Sequence, residues 1–87
     1  MEELAVAIGK TIRAKRRANG LSQDRFALVA GIDRSYMGRI ERGEVSITIE
    51  KLFRIAEALQ CEPVTLLPKI SSIHLPIPHK ASKSGLN

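Results

Sequence analysis

The chain has 87 residues, 44% of them hydrophobic and 26% charged, with a formal net charge of +5. That is one small domain, burying about 60% of its unfolded surface, so its stability is expected to be marginal and helped by dimerisation. A single cysteine, Cys61, excludes an intramolecular disulfide and suits a reducing cytoplasm. No apolar run nears the roughly 18 residues of a membrane span, and Glu2 and Glu3 stand where a signal peptide would carry positive charge.

The first predicted helix spans Glu3 to Ala18: Leu4, Ile8 and Ile12 recur every fourth residue, and Gly20 follows Asn19 as a stop. The same row continues to Arg16. A cation on an inward stripe needs a partner, because a buried unpaired charge is costly; Glu41, on the inner flank of a later helix, is the residue to supply it. Lys15 covers core with its stem while its amine reaches water, and Arg13 and Arg17 are solvated.

From Leu21 to Gly43 the chain reads LSQDRFALVAGIDRSYMGRIERG. Ser22 is a helix N-cap with Asp24 in the first turn, Phe26, Ala27, Val29 and Ala30 form an apolar face, and Gly31 ends the helix. Asp33 caps a second helix that runs to Arg42, with Gly43 as its left-handed stop. At 100° per residue Met37 and Ile40 face inward, with Tyr36 and Asp33 at the edge. Ser35, Gly38, Arg39 and Arg42 lie outward, with Arg34 on the flank. Such a face is a poor core and a good surface for base edges and phosphates. Gly38 costs the helix roughly 0.5–1 kcal/mol relative to Ala, and its place on that face suggests close approach to a groove. Charge agrees, since nine basic residues lie between Lys10 and Arg42 against Asp24, Asp33 and Glu41.

These residues resemble the Cro and phage-repressor type (XRE-like) of helix-turn-helix DNA-binding regulators, over roughly residues 8 to 67. The resemblance implies an all-α, five-helix, lambda-repressor-like domain, usually dimeric, whose third helix enters the major groove. It also implies the Arg16–Glu41 ion pair, an architectural lock between the first and third helices. On this reading Arg34, Ser35 and Arg39 meet base edges, with Arg39 alternatively on a phosphate or on Glu44. Ser22, Gln23, Tyr36 and Arg42 meet phosphates. Relatives often place a basic residue in the following loop to reach the minor groove; Val45 and Ser46 offer none.

Thr48 is the N-cap of a helix through Leu59, with Glu50 in its first turn and Leu52, Phe53, Ile55, Ala56 and Leu59 inward. Pro63 opens a last short helix, Val64 to Leu67, stopped by Pro68. Leu66, Leu67 and Ile70 are candidates for a symmetric dimer contact, with closure of the monomer's own core as the other reading. The domain is thus expected over 1–68. Residues 69–87 form a tail with no room for a ligand-sensing module, in which Ile73, Leu75 and Ile77 alternate as an edge strand restricted by Pro76 and Pro78, before a disordered end.

No phosphate loop, nucleophile elbow or carboxylate pair beside a histidine is present, so the chain is read as a non-enzyme without cofactor. Cys61 is read as a small buried apolar residue. His74 and His79 lack cysteine partners at finger spacing, so no metal is expected. Only Phe26, Tyr36 and Phe53 are aromatic, which disfavours RNA stacking. The leading expectation is a dimeric, sequence-specific transcriptional regulator on a palindromic double-stranded DNA operator, a compact phage-like repressor or restriction-modification controller. The alternatives are an antitoxin whose tail or flank neutralises a toxin partner, and an interaction module that has lost DNA binding, against which Arg34, Ser35 and Arg39 argue.

Overall fold

The structure, a computed structural model, describes residues 3–74. Four α-helices, α1 (Glu3–Ala18), α2 (Gln23–Ala30), α3 (Arg34–Glu41) and α4 (Ile49–Ala58), are followed by two 3₁₀ turns, Pro63–Leu66 and Ile70–Ser72. The all-α expectation holds, with the fifth helix realised as the 3₁₀ turn at Pro63. Leu67 is already extended there, one residue earlier than the predicted stop. Pro63 presets φ for the first position of that turn.

Three caps fix the helix starts. The Ser22, Asp33 and Thr48 side chains accept from the backbone N–H of Arg25, Tyr36 and Lys51 respectively, satisfying donors that each first turn leaves free. Each such cap contributes about 1 kcal/mol. Gly31 ends α2 at φ 69°, a left-handed conformation that side chains resist.

The inward residues of all four helices meet in one core. Ile12, Phe26, Met37, Ile55 and Leu66 are its largest fully enclosed side chains, each worth about 1.5–3 kcal/mol in removed apolar surface. Two expected inward residues point outward instead: Val29 is 55% and Phe53 58% exposed. Phe26, Ala27 and Ala30 already fill α2's stripe, and Leu52, Ile55, Ala56 and Leu59 fill that of α4. Neighbouring apolar positions are then left on the far flank. Leu66 corrects a third reading. It is fully buried in its own chain, so it closes the monomer core and is not available to a dimer contact, unlike Leu67 and Ile70.

Helix α1 grips α3 by close backbone approach. A Cβ on Gly9 would lie 2.5 Å from the Ile40 carbonyl oxygen and 2.6 Å from that of Glu41, and a Cβ on Gly43 would lie 2.6 Å from Val6 Cα. Only glycine permits both contacts, which fasten the end of α3 to the first helix. Gly43 also has φ 74° and completes a Schellman turn: its N–H donates to Ile40 O at 3.0 Å and that of Glu44 to Arg39 O at 2.9 Å.

In the tail, Ile73 is extended and the His74 N–H donates to the Glu3 carboxylate at 3.0 Å. The expected strand beyond it, and His79, lie outside the described residues.

Candidate nucleic-acid interface

Helices α2 and α3, joined through Gly31, Ile32 and Asp33, form the helix-turn-helix. Ile32 is buried and anchors the turn, while the face of α3 that carries Arg34, Ser35, Arg39 and Arg42 is exposed. The rigid support beneath that face is polar. Arg16 Nε donates to Glu41 Oε2 at 2.7 Å and Nη2 to Oε1 at 3.1 Å, while Nη1 donates to the Leu21 carbonyl at 2.9 Å. The side chains are only 10% and 3% exposed. The pair therefore ties α1, the start of α2 and the end of α3 together, with its hydrogen-bonding capacity used rather than stranded.

Gln23 joins the same network. Its Nε2 donates to Glu41 Oε1 at 3.1 Å, so its amide is held half-buried beside α3. Gly38 corrects the expectation of an open glycine on the outward face, for it is buried. A Cβ there would meet Arg42 Nη1 at 3.1 Å and Gln23 Oε1 at 3.5 Å. The missing side chain lets these two residues cross the helix surface. Ser22 is exposed beside them, its hydroxyl accepting from Arg25 N at 3.1 Å. Tyr36 is half-buried, with Lys51 Nζ 5.3 Å from its ring centroid, a cation–π distance.

Each arginine of the outward face has a carboxylate neighbour. Arg34 pairs with Asp24. Arg42 Nε donates to Glu44 Oε2 at 2.7 Å and Nη2 to Oε1 at 3.3 Å. Arg39 Nε lies 3.8 Å from Glu44 Oε1. The hydrogen bond from Arg42 holds the Glu44 carboxyl below the usual carboxylate range, and the same bond raises the Arg42 guanidinium above its already high value. Asp24, and Glu44 as partner of Arg42, were missed in the sequence. Nothing in helical periodicity places a loop acid over a helix end, although Asp24 ten residues before Arg34 is opposite in sign. Lys51 and Arg54, from α4, flank a cleft at the start of α3 with Asp33 and Tyr36, a juxtaposition that the periodicity of neither helix reveals.

Leu67, Ile70, Val64, Ile49 and Phe53 are exposed apolar residues. Cys61 is half-buried. Among the described residues no helix is long and apolar enough to cross a membrane, and no group of three or more His, Cys, Asp or Glu side chains is placed to hold a metal ion.

With this geometry in place, a family described as Helix-turn-helix matches residues 12–66, and the chain belongs to that family of DNA-binding regulators, not to an enzyme class. Within it the likeness runs to restriction-modification controllers and phage repressors. The chain is 35% identical over 63 residues to control protein C.SmaI of Serratia marcescens, covering 72% of this chain and 70% of that one. The structure of the restriction-modification controller C.AhdI from Aeromonas hydrophila superposes with a TM-score of 0.71 at 40% identity, covering 72% of this chain and 96% of that one. The P22 c2 repressor, solved with a synthetic operator, superposes with a TM-score of 0.65 at 32% identity, covering 69% of this chain and 91% of that one.

Proposed function

We propose that the chain is a cytoplasmic, dimeric, sequence-specific transcriptional regulator that reads the major groove with α3, of the restriction-modification controller or phage-repressor kind. The observation that carries the reading is the exposed arginine and serine face of α3, backed by the buried Arg16–Glu41 pair. A rigid helix with a basic outer face meets what base readout demands, while a floppy one would lose its register. Arg34, Ser35 and Arg39 are assigned to base edges, and Arg42 with the Ser22 end of α2 to phosphates. Tyr36 is assigned to the edge of the phosphate contact. Gln23, already tied to Glu41, reaches a phosphate only with the amide edge left free.

The dimer contact is assigned to the apolar surface of Leu67 and Ile70, with Val64 three residues before Leu67 also exposed. In support, Ile70 is 82% and Val64 69% exposed, an unfavourable state for large apolar side chains on a domain this small. A two-fold symmetric dimer favours an operator of two related halves.

Selection of bound duplexes from a random pool tests the proposal. A preferred site of two inverted halves, spaced by roughly 34 Å or one helical turn, is expected. Recovery of unenriched sequence, or of a single unpaired half, would overturn sequence-specific binding by a dimer.

A further inference from the structure

Glu44 is an acid in a place where elementary electrostatics disfavours one. It follows Gly43 at the carboxyl end of α3, where the helix dipole is negative and favours cations. It also stands beside the surface assigned to a polyanion. Its position is nevertheless fixed rather than incidental. The Schellman turn pins its backbone N–H to Arg39 O at 2.9 Å, and the preceding Gly43 packs so closely on Val6 that an added Cβ would come within 2.6 Å of Val6 Cα. The carboxylate is turned back over the helix, taking both Nε and Nη2 of Arg42 and approaching Arg39 Nε.

We infer that Glu44 is a specificity-determining residue: an internal anion that occupies Arg39 and Arg42 in the free protein and must be exchanged for DNA acceptors on binding. The inference rests on the assignment of these arginines to DNA. Two oxygens of one carboxylate hold the Arg42 fork. A phosphate offers two oxygens in similar geometry, and guanine offers Arg39 the paired O6 and N7 acceptors. On a matched site the exchange is therefore close to even. On unmatched DNA, where α3 is not seated, the arginines would surrender a bidentate partner for partial contacts, and the carboxylate would repel the backbone as well. Glu44 thereby penalises random sequence more than operator, in the manner of specificity gained by disfavouring the wrong partner. The hydrogen bond from Arg42 lowers the pKa of the carboxyl and so favours its charged form, which keeps that anion in place throughout the neutral range.

The test measures binding of the full chain to the selected operator and to a random duplex across a salt series. The variants are Glu44→Gln, Arg42→Ala, the double variant, and Glu57→Gln as a control that removes one exposed acid from α4. Glu44→Gln is expected to tighten random-duplex binding about two- to fivefold, the scale of an exposed ion pair, with a steeper salt slope. Operator binding should gain less, so the specificity ratio falls. Glu57→Gln should leave that ratio unchanged, and in the Arg42→Ala background most of the effect of Glu44→Gln should disappear. Weaker or unchanged random-duplex binding by Glu44→Gln, an equal gain on both duplexes, or a full gain without Arg42 would each overturn the inference. If Arg42→Ala alone leaves binding and slope untouched, the assignment of Arg42 to DNA falls and takes the inference with it. If Arg42→Ala weakens binding but Glu44→Gln shows no selective gain, the inference alone falls.

Discussion

Arg16 and Glu41 form a bidentate pair across the α1–α3 interface, at 2.7 and 3.1 Å, with almost no solvent access. Removing either partner strands the other's charge beneath the surface, where the lost Coulomb attraction and the desolvation penalty add. Arg16→Met and Glu41→Gln are each expected to destabilise the fold by about 3–5 kcal/mol in denaturant melts. The double variant should lose less than the sum, since no orphan charge remains. Single losses under about 0.5 kcal/mol, the scale of an ordinary surface change, would show that the pair carries no structural load.

Leu66 and Ile70, four positions apart, are opposites in exposure: one is fully enclosed and the other 82% exposed. Leu66→Ala should therefore act on folding, by about 2–5 kcal/mol. Leu67→Asp with Ile70→Asp should leave the protomer's own packing intact while sedimentation shows loss of the dimer. A double aspartate variant that stays dimeric would move the subunit contact elsewhere, with the exposed Phe53 face as the next surface to test.

The pH dependence of the Glu44 contact has a definite sign. Its folded-state pKa is lowered from the ordinary 4.5, chiefly by the hydrogen bond from Arg42. Its stabilising contribution is then fully present above about that value and is lost as pH falls through the lower, folded one. The small difference in Tm between wild type and Glu44→Gln is expected to stay constant from neutrality down to pH 4.5 and to close in stronger acid. A difference that closed above that point would mean that the carboxyl is not held by Arg42.

The helix-turn-helix was legible in the sequence because its signals are local. Ser22, Asp33 and Thr48 cap through their own backbone neighbours, Gly31 and Gly43 mark left-handed stops, and the fourfold row through Ile8 and Ile12 points to Arg16. Exposure was harder to read. Val29 and Phe53 are apolar residues one position beside a filled stripe, and the stripe's width depends on how closely α2 and α4 approach their neighbours, which the periodicity of either helix does not carry. Gly38 looked open because helical geometry places it outward; the cover comes from the long side chains of Arg42 and Gln23. The carboxylates over the arginines depend on loop geometry and leave no periodic trace. Gln60, whose φ of 57° turns the chain after α4, lacks the glycine that marks the other stops.

Specificity gives the sharpest test of the reading face. Arg34 is the first residue of α3, directly after the Asp33 cap, and its side chain is 66% exposed. In the docking expected for this fold the amino-terminal turn of the second helix lies deepest in the major groove. An arginine fork matches the two acceptors of guanine, whereas the neighbouring Ser35 hydroxyl both donates and accepts and so discriminates less. The ion pair with Asp24 is between exposed side chains and easily exchanged, so it does not hold Arg34 away from DNA. A guanine is therefore expected opposite Arg34 in each half-site. Arg34→Ala should cost about 1–3 kcal/mol on the preferred operator and flatten the preference at that base pair. Binding to random duplex should lose only what one cation supplies, seen as a salt slope lower by about one unit. Repeating the duplex selection with the variant decides the matter. If the ranking of all four bases is preserved at every position, Arg34 does not read sequence and the reading surface must be reassigned to Arg39 and its neighbours.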